Sequence, residues 1–459
     1  MDITDLTIQK AIDLLNTNKV TQTELINEYQ KRVEKYNPSL NSLLTYNSNF
    51  EPSCKGSLRG LPVVFKDMFL TKGERTTAGS KVLYDYIPQY NSTVVSKIKD
   101  EGAYIIGKAN QDAWAHGSSG ENSDFPPAKN PWNIDFVPGG SSSGSAAALA
   151  ANFCLVAFGT DTGGSIRLPA SFCNLVGLKP TYGRVSRYGV IAMASSVDSI
   201  GHMTKTVFDN AMILEITAGK DPFDATTNPQ KVPSYTKNIN KGIKGQRIGI
   251  PKEYFQKGID KRIEEKVKAA VLKYEELGAE IVDVSLPNTE YALSVYYVIQ
   301  PSEVSSNLAR YDGIRYGHDR SSFGQEAKRR IILGTYTLSS GYYDAYYIKA
   351  AKVRTLLLKD FQDVFEKVDF LIAPVSPSLP FKLGQKTADP LVMYLSDIFT
   401  VTINMAGLPA LSIPCGFIDH LPVGFQIIGP HLSEELLFQA GYAYQQVTDY
   451  HTQKPKLTL

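Results

Sequence analysis

The run FGTDTGGSIRLPAS, Phe158 to Ser171, sets one serine, Ser165, directly after two glycines and behind an apolar stretch with strand character. Gly163 and Gly164 let backbone N–H groups crowd toward that hydroxyl, where an oxyanion would form during acyl transfer. A serine hydroxyl is a poor nucleophile at neutral pH and needs a base. The six histidines are scattered, and no His-Asp pairing is suggested. A base of another kind is available in Lys66, which stands near the end of the apolar run GLPVVFKD. Burial there would favour the neutral amine and make it usable as a base, whereas the competing reading is a lysine that snorkels or pairs with a carboxylate.

A second glycine-serine segment, PGGSSSGSAAALAANF, spans Pro138 to Phe153. Either segment could be a phosphate loop, but neither ends in Lys-Ser/Thr and neither contains G-x-G-x-x-G, which argues against nucleotide binding. Cys54, Cys154, Cys173 and Cys415 lie far apart, with no C-x-x-C pair and no histidine at metal-ligand spacing. They read as small apolar packing in a reducing compartment, with no metal and no cofactor expected in this chain.

The elements that must position these groups alternate along the sequence. GLPVVFKDMF, AYIIGKAN, FCLVAFGTD and VGLKP are short β-rich runs separated by Ala-rich or amphipathic stretches and glycine breaks. QRIGIPKEYF, the helical IDKRIEEKVKAAVLKYEELGAEIVDVSL, and the runs FLIAPV, ALSIPCGF and VGFQIIG continue the pattern. Near the start, Thr21 and Glu24 have capping-box spacing, and Leu25, Tyr29, Val33 and Tyr36 keep an apolar helical face that should end at Pro38. The rhythm predicts an α/β fold, a mixed β-sheet core sandwiched between helices. One domain is expected over 1–459: N-terminal helices over about 1–45, a core over about 58–215, and the remaining core with a surface insertion over 216–459. The insertion is the polar AGKDPFDATTNPQKVPSYTKNINKG, Ala218 to Gly242.

At 43% hydrophobic and 20% charged residues, the chain has an ordinary globular composition, and a net charge of +2 gives no reason to expect a strong general attraction to polyanions, although a local basic patch could hide in that balance. No apolar run is long enough to cross a bilayer, and the N-terminus MDITDLTIQK has neither a signal core nor an Arg-rich presequence.

PGGSSSGSAAALAA, GTDTGGSIRLPASFCNLVGLKPTYGRVSRYG and the upstream GLPVVFKD together resemble the amidase signature family, whose catalytic unit is Ser-Ser-Lys. The resemblance implies that Ser165 is the acyl-forming nucleophile, Ser141 the bridging serine behind a cis Gly140-Ser141 peptide, and Lys66 the base. It also implies an oxyanion hole from the N–H groups of Thr162, Gly163, Gly164 and Ser165. Ser142 would hydrogen-bond within its loop, Ser143 would cap the following helix, and Asp161 with Arg167 would brace the nucleophile as an ion pair.

SEVSSNLARYDGIRYG, KRRIILGTYTLSSGYYDAYY, YLSDIFTVTINMAGLPALSIPCG and PVGFQIIGP resemble one branch of that family, the glutaminases of glutamyl-tRNA(Gln) amidotransferases. For such a chain the substrate is glutamine, with Arg330 as the cation for its α-carboxylate and Asp397 as the anion for its α-ammonium. Tyr296 would add a hydroxyl, although Tyr297 competes for that place and either could be core packing. Arg330 beside Arg329 could alternatively face solvent. The resemblance further implies a B-type partner that uses ATP and Mg to activate glutamyl-tRNA(Gln), and a small third subunit, with tRNA met mainly through the partner. His116 and Gly120 stand where such chains carry methionine and threonine, which implies an altered pocket. Shortened segments around NSNFEPSCKGSLRG and YGHDRSSFGQEA point to a mitochondrial-matrix form over a bacterial cytoplasmic one. The rival expectations are a stand-alone amidase acting on another small amide and an inactive scaffold subunit.

Overall fold

The apolar runs fold as eleven strands in chain order: β1 Leu43–Tyr46, β2 Pro62–Lys66, β3 Tyr104–Ala109, β4 Val156–Asp161, β5 Val176–Lys179, β6 Ser199–Thr204, β7 Arg247–Pro251, β8 Glu280–Val284, β9 Phe370–Pro374, β10 Ala410–Ile418 and β11 Leu421–Ile428. This computed structural model describes residues 2–53, 55–255, 258–315 and 317–457. The strands form one mixed sheet in the order β1-β3-β2-β4-β6-β5-β10-β11-β9-β7-β8. Parallel pairing joins β2 to β3 and β4, and β7 to β8 and β9, whereas the centre of the sheet is antiparallel. Every residue of β2, β3, β4, β5, β6, β9 and β11 is buried, which a sheet achieves only with both faces covered. The chain thus has the expected α/β sandwich.

Strand alternation assigns the two faces. Gly159 of β4 pairs with Gly201 of β6, and Gly177 of β5 lies on the same side. A Cβ added at Gly159, Gly177 or Gly201 would lie 3.1, 3.2 or 3.0 Å from carbons of the Ile166 side chain, so three neighbouring strands leave one hollow for that residue. The helix Arg167–Phe172, which follows Ser165, therefore lies close against the sheet. On the opposite face His202 contacts the Asn210 carbonyl at 2.8 Å, seating the helix Val207–Thr217.

Two expectations about element boundaries change. The capping box forms, with Thr21 Oγ1 accepting from Glu24 N and Glu24 Oε2 accepting from Thr21 N, but the helix Gln22–Leu40 continues past Pro38. Proline removes one donor of the final turn, and Asn37 secures that turn instead by accepting from Ser42 Oγ and Leu43 N. The run from Ile259 to Leu286 is not one helix: it is the helix Lys261–Glu276 and then β8, separated at Gly278 with φ 89°. Residues 219–242 form no helix or strand, and buried Tyr235 ties them to the body by accepting from Arg184 Nε. Cys154, Cys173 and Cys415 are buried free thiols, while Cys54 lies outside the described residues. Among the described residues no helix is long and apolar enough to cross a membrane, and no group of three metal-binding side chains is assembled.

Candidate active site

Lys66 ends β2, flanked by β3 and β4, and is completely buried. Its Nζ donates to Ser141 Oγ at 2.6 Å and to Thr160 Oγ1 of β4 at 2.9 Å. Among the described residues no carboxylate lies within ion-pair distance of it, so the snorkelling and salt-bridge readings fail. Burial pushes the ammonium down to about 7, opposed by the negative fields of Asp112, Asp161 and Asp198. Above that pH the amine is neutral and can accept a proton.

The Gly140-Ser141 peptide is cis. Ser142 N donates to the Ser165 carbonyl at 3.2 Å, which binds the two glycine-serine segments together. Ser142 and Ser143 differ from expectation. The Ser142 hydroxyl leaves its own loop and donates to the Thr160 carbonyl, while the helix begins at Ser143, whose hydroxyl is buried without a partner and caps nothing. The side chain of Ser143 occupies the place a Cβ on Gly120 would take, 2.5 Å away, and Gly120 has φ 92°, so this position accepts glycine for two reasons.

Asp161, the last residue of β4, folds the nucleophile loop around its carboxylate. It accepts from Gly164 N, Ile166 N and Arg167 N, from Arg167 Nε and Nη2, and from Asn404 Nδ2. Burial works against the charge, and the Arg167 guanidinium overcomes it and holds the carboxyl at about 2. Arg167 also donates to Gln426 Oε1, the Thr400 carbonyl and Asn404 Oδ1, so residues from the last part of the chain complete the brace. The network corrects one expected donor: the Gly164 N–H is directed to Asp161 Oδ1 at 2.9 Å. Ser165 is 8% exposed, whereas Lys66 and Ser141 are fully covered, so of the three only Ser165 meets an incoming molecule. We expect Arg167→Met to cost about 3–5 kcal/mol of stability, because it strands the Asp161 charge in the interior, and urea unfolding would show the loss.

The loop's other neighbour is the segment before the helix Val401–Ala406. Thr400 Oγ1 donates to the Gly163 carbonyl at 2.5 Å and the Asp397 carbonyl at 3.0 Å. The Asp397 carboxylate accepts from Ser118 Oγ at 2.8 and 2.7 Å and from the Tyr297 hydroxyl at 3.4 Å. Burial pushes Asp397 up to about 7, countered by the Ser118 bond and the Arg330 charge. Arg330 is 3% exposed and does not face solvent. It donates from Nε to Glu326 and from Nη1 to Gln300, and its guanidinium lies over the rings of Tyr297 and Tyr394 at 5.3 and 5.5 Å. Both tyrosines belong here with different partners: Tyr296 sets its hydroxyl 2.8 Å from where a Cβ on Gly163 would stand, while Tyr297 links Arg330 to Asp397.

Ser118, Tyr297, Gln300, Glu326, Tyr394 and Thr400 carry no signal of their own in the sequence, although Tyr297 adjoins Tyr296 and Ser118 sits in the loop of His116 and Gly120. His116 is buried with neither ring nitrogen partnered, and burial followed by the Arg330 charge holds it well below the ordinary histidine range. Ser118, Glu326, Arg330, Lys386 and Tyr394 enclose a small space of about 40 Å³. A larger cavity of about 520 Å³, between the N-terminal and C-terminal segments, contains none of the expected site residues, so the site is recognised by its chemistry and not by volume.

Residues 24–438 match the family model described as amidase. The chain is 48% identical to the A subunit of glutamyl-tRNA(Gln) amidotransferase from Geobacter metallireducens, covering 99% of each. It is 50% identical to the protein of the same name from Caldanaerobacter subterraneus, covering 97% of each. The crystal structure of the corresponding A subunit from Thermotoga maritima superposes with a TM-score of 0.90 at 40% identity, covering 100% of this chain and 99% of that one.

Proposed function

We propose, because this chain belongs to the amidase family, that it is the glutaminase subunit of a glutamyl-tRNA(Gln) amidotransferase. The observation that carries the choice of glutamine is the placement of a buried cation and a buried carboxylate on one tyrosine: Arg330 over the Tyr297 ring, Asp397 on its hydroxyl. A free α-amino acid presents the complementary charges. Arg330 has spent Nε and one Nη1 hydrogen on Glu326 and Gln300, so Nη2 remains for a carboxylate.

In this reading the Ser165 hydroxyl attacks the side-chain carboxamide carbon, its proton passes to Ser141, and the Ser141 proton passes to neutral Lys66. The N–H groups of Thr162, Gly163 and Ser165 stabilise the oxyanion, with Tyr296 packed on Gly163. The relay then runs backward and protonates the departing nitrogen, so ammonia leaves and a glutamyl ester stays on Ser165. Water, deprotonated by the same relay, cleaves the ester to glutamate. Ammonia passes to a B-type subunit that activates glutamyl-tRNA(Gln) with ATP and Mg, with a small third subunit completing the assembly. This chain supplies nitrogen and leaves tRNA to its partner, in keeping with its net charge of +2.

The test is ammonia release from glutamine and from simple aliphatic amides, by the purified chain and by the chain co-expressed with its partners. Glutamine turnover by the assembly is expected, with Arg330→Leu raising KM on the order of 100-fold as a charged hydrogen-bond pair is lost. Faster turnover of simple amides than of glutamine, or an unchanged KM in Arg330→Leu, would instead establish a stand-alone amidase.

A further inference from the structure

We propose that Asp112 is a positioning residue of the proton relay: its carboxylate joins the loop presenting Ser118 to the turn presenting Ser141, and it is the buried counter-charge of Lys66. The inference rests on the relay reading of Lys66 and Ser141.

Asp112 follows β3 and is completely buried. Its Oδ2 accepts from Gly120 N and its Oδ1 from Asn122 N, both at 2.9 Å, so it holds the far side of the loop that carries Ser118. Two glycines make room for it. A Cβ on Gly117 would fall 2.3 Å from Oδ1, and a Cβ on Gly140 2.2 Å from Oδ2. Gly140 N donates to the Ser118 carbonyl at 2.9 Å and closes the circuit. One carboxylate thus touches the main chain on both sides: the turn leading to Ser141, which bonds Lys66, and the loop whose Ser118 bonds Asp397.

The charge has a purpose beyond position. Three buried carboxylates act on Lys66: Asp112 foremost, then Asp161 and Asp198. Asp161 is committed to Arg167, and Asp198 to Thr162 Oγ1 and the N–H groups of Met193 and Ala194. Asp112 has no cation within ion-pair distance among the described residues; burial pushes its carboxyl up to about 6, Glu121 acts in the same sense, and Lys66 and the two N–H bonds act against both. When the relay delivers a proton to Lys66, an ammonium appears at a completely buried position, and Asp112 is the carboxylate without a cation of its own that can stabilise it. Asp112 touches neither Ser165 nor the Arg330 end, so its action is through Lys66 and the two loops.

The test titrates Lys66 directly in the full chain by ¹³Cε-lysine NMR, the signal being assigned by its disappearance in Lys66→Met. Asp112→Asn is expected to lower the Lys66 midpoint on the order of one pH unit, and kcat to fall on the order of tenfold with its acid limb moved in the same direction. A Lys66 midpoint unchanged in Asp112→Asn overturns the proposal, including the case in which kcat falls alone. Should Asp112→Asn not fold, the reciprocal measurement serves: in Lys66→Met the Asp112 carboxyl should titrate higher than in wild type, and an unchanged value overturns the proposal. The titration needs no substrate, so failure to hydrolyse glutamine would sink the glutaminase reading while leaving this coupling measured in its own right.

Discussion

Ser165→Ala is expected to remove glutamine hydrolysis, lowering the rate on the order of 10⁴-fold or more, as loss of a nucleophile does in serine hydrolases of other design. The substitution is clean because the loop does not depend on that hydroxyl. Ser165 serves the loop through its carbonyl, which accepts from Ser142 N, while Asp161 and Arg167 hold the rest. Stability should therefore stay within about 0.5 kcal/mol of wild type. Hydroxylamine added during turnover should trap glutamyl hydroxamate from the wild-type ester and none from the variant. A variant rate within tenfold of wild type would place the nucleophile elsewhere.

Lys66→Met is the second large effect, a loss on the order of 10³-fold, since a general base contributes roughly 10²–10⁴ and the buried hydroxyls of Ser141 and Thr160 also lose their donor. Its signature is in the pH profile. The proposed relay requires neutral Lys66, so wild-type kcat should rise with pH through about 7 and then level. In the proposed binding mode Asp397 must be ionised, and burial has also pushed it up to about 7, so kcat/KM should fall more steeply below 7 than kcat does. In Lys66→Met the residual kcat should lose its limb near 7. The folded chain binds this proton less readily than the unfolded chain. Wild-type stability therefore gains from this residue as pH rises from about 7 toward the ordinary lysine value of 10.5, and Lys66→Met should lose that slope. A Lys66→Met enzyme with the wild-type kcat limb would remove the lysine from the relay.

The parts of this site that could be read in the sequence are those written locally. The two glycine-serine segments and the lysine closing an apolar run name Ser141, Ser165 and Lys66, and β2 does bring Lys66 to Ser141. What escapes reading lies across the chain. Thr400, Asn404 and Gln426 acquire roles only when the sheet order sets β11 and the helix Val401–Ala406 beside the nucleophile loop, and Gln300 only where it accepts from Arg330. Gly164 looks like an oxyanion donor from its place next to Ser165, but the turn directs its N–H inward to Asp161. Tyr296 and Tyr297 cannot be separated by sequence because a helix sends adjacent residues to different neighbours, here Gly163 and the Arg330 guanidinium. The strand β8 merges with its preceding helix in a sequence reading because the charged alternation of EIVDV resembles the surface helix before it, and only Gly278 marks the break.

The brace around Arg167 also sets when this protein can become an enzyme during its own synthesis. Ser141 and Ser165 leave the ribosome early, but Gln426, which takes one arm of Arg167, lies in β11, the last strand to be made, and Asn404 and Thr400 come shortly before it. Until those residues arrive, the guanidinium has Asp161 alone of its four partner residues. A nascent chain therefore carries the reactive groups without the geometry to use them, and the cell's free glutamine is exposed only to finished molecules.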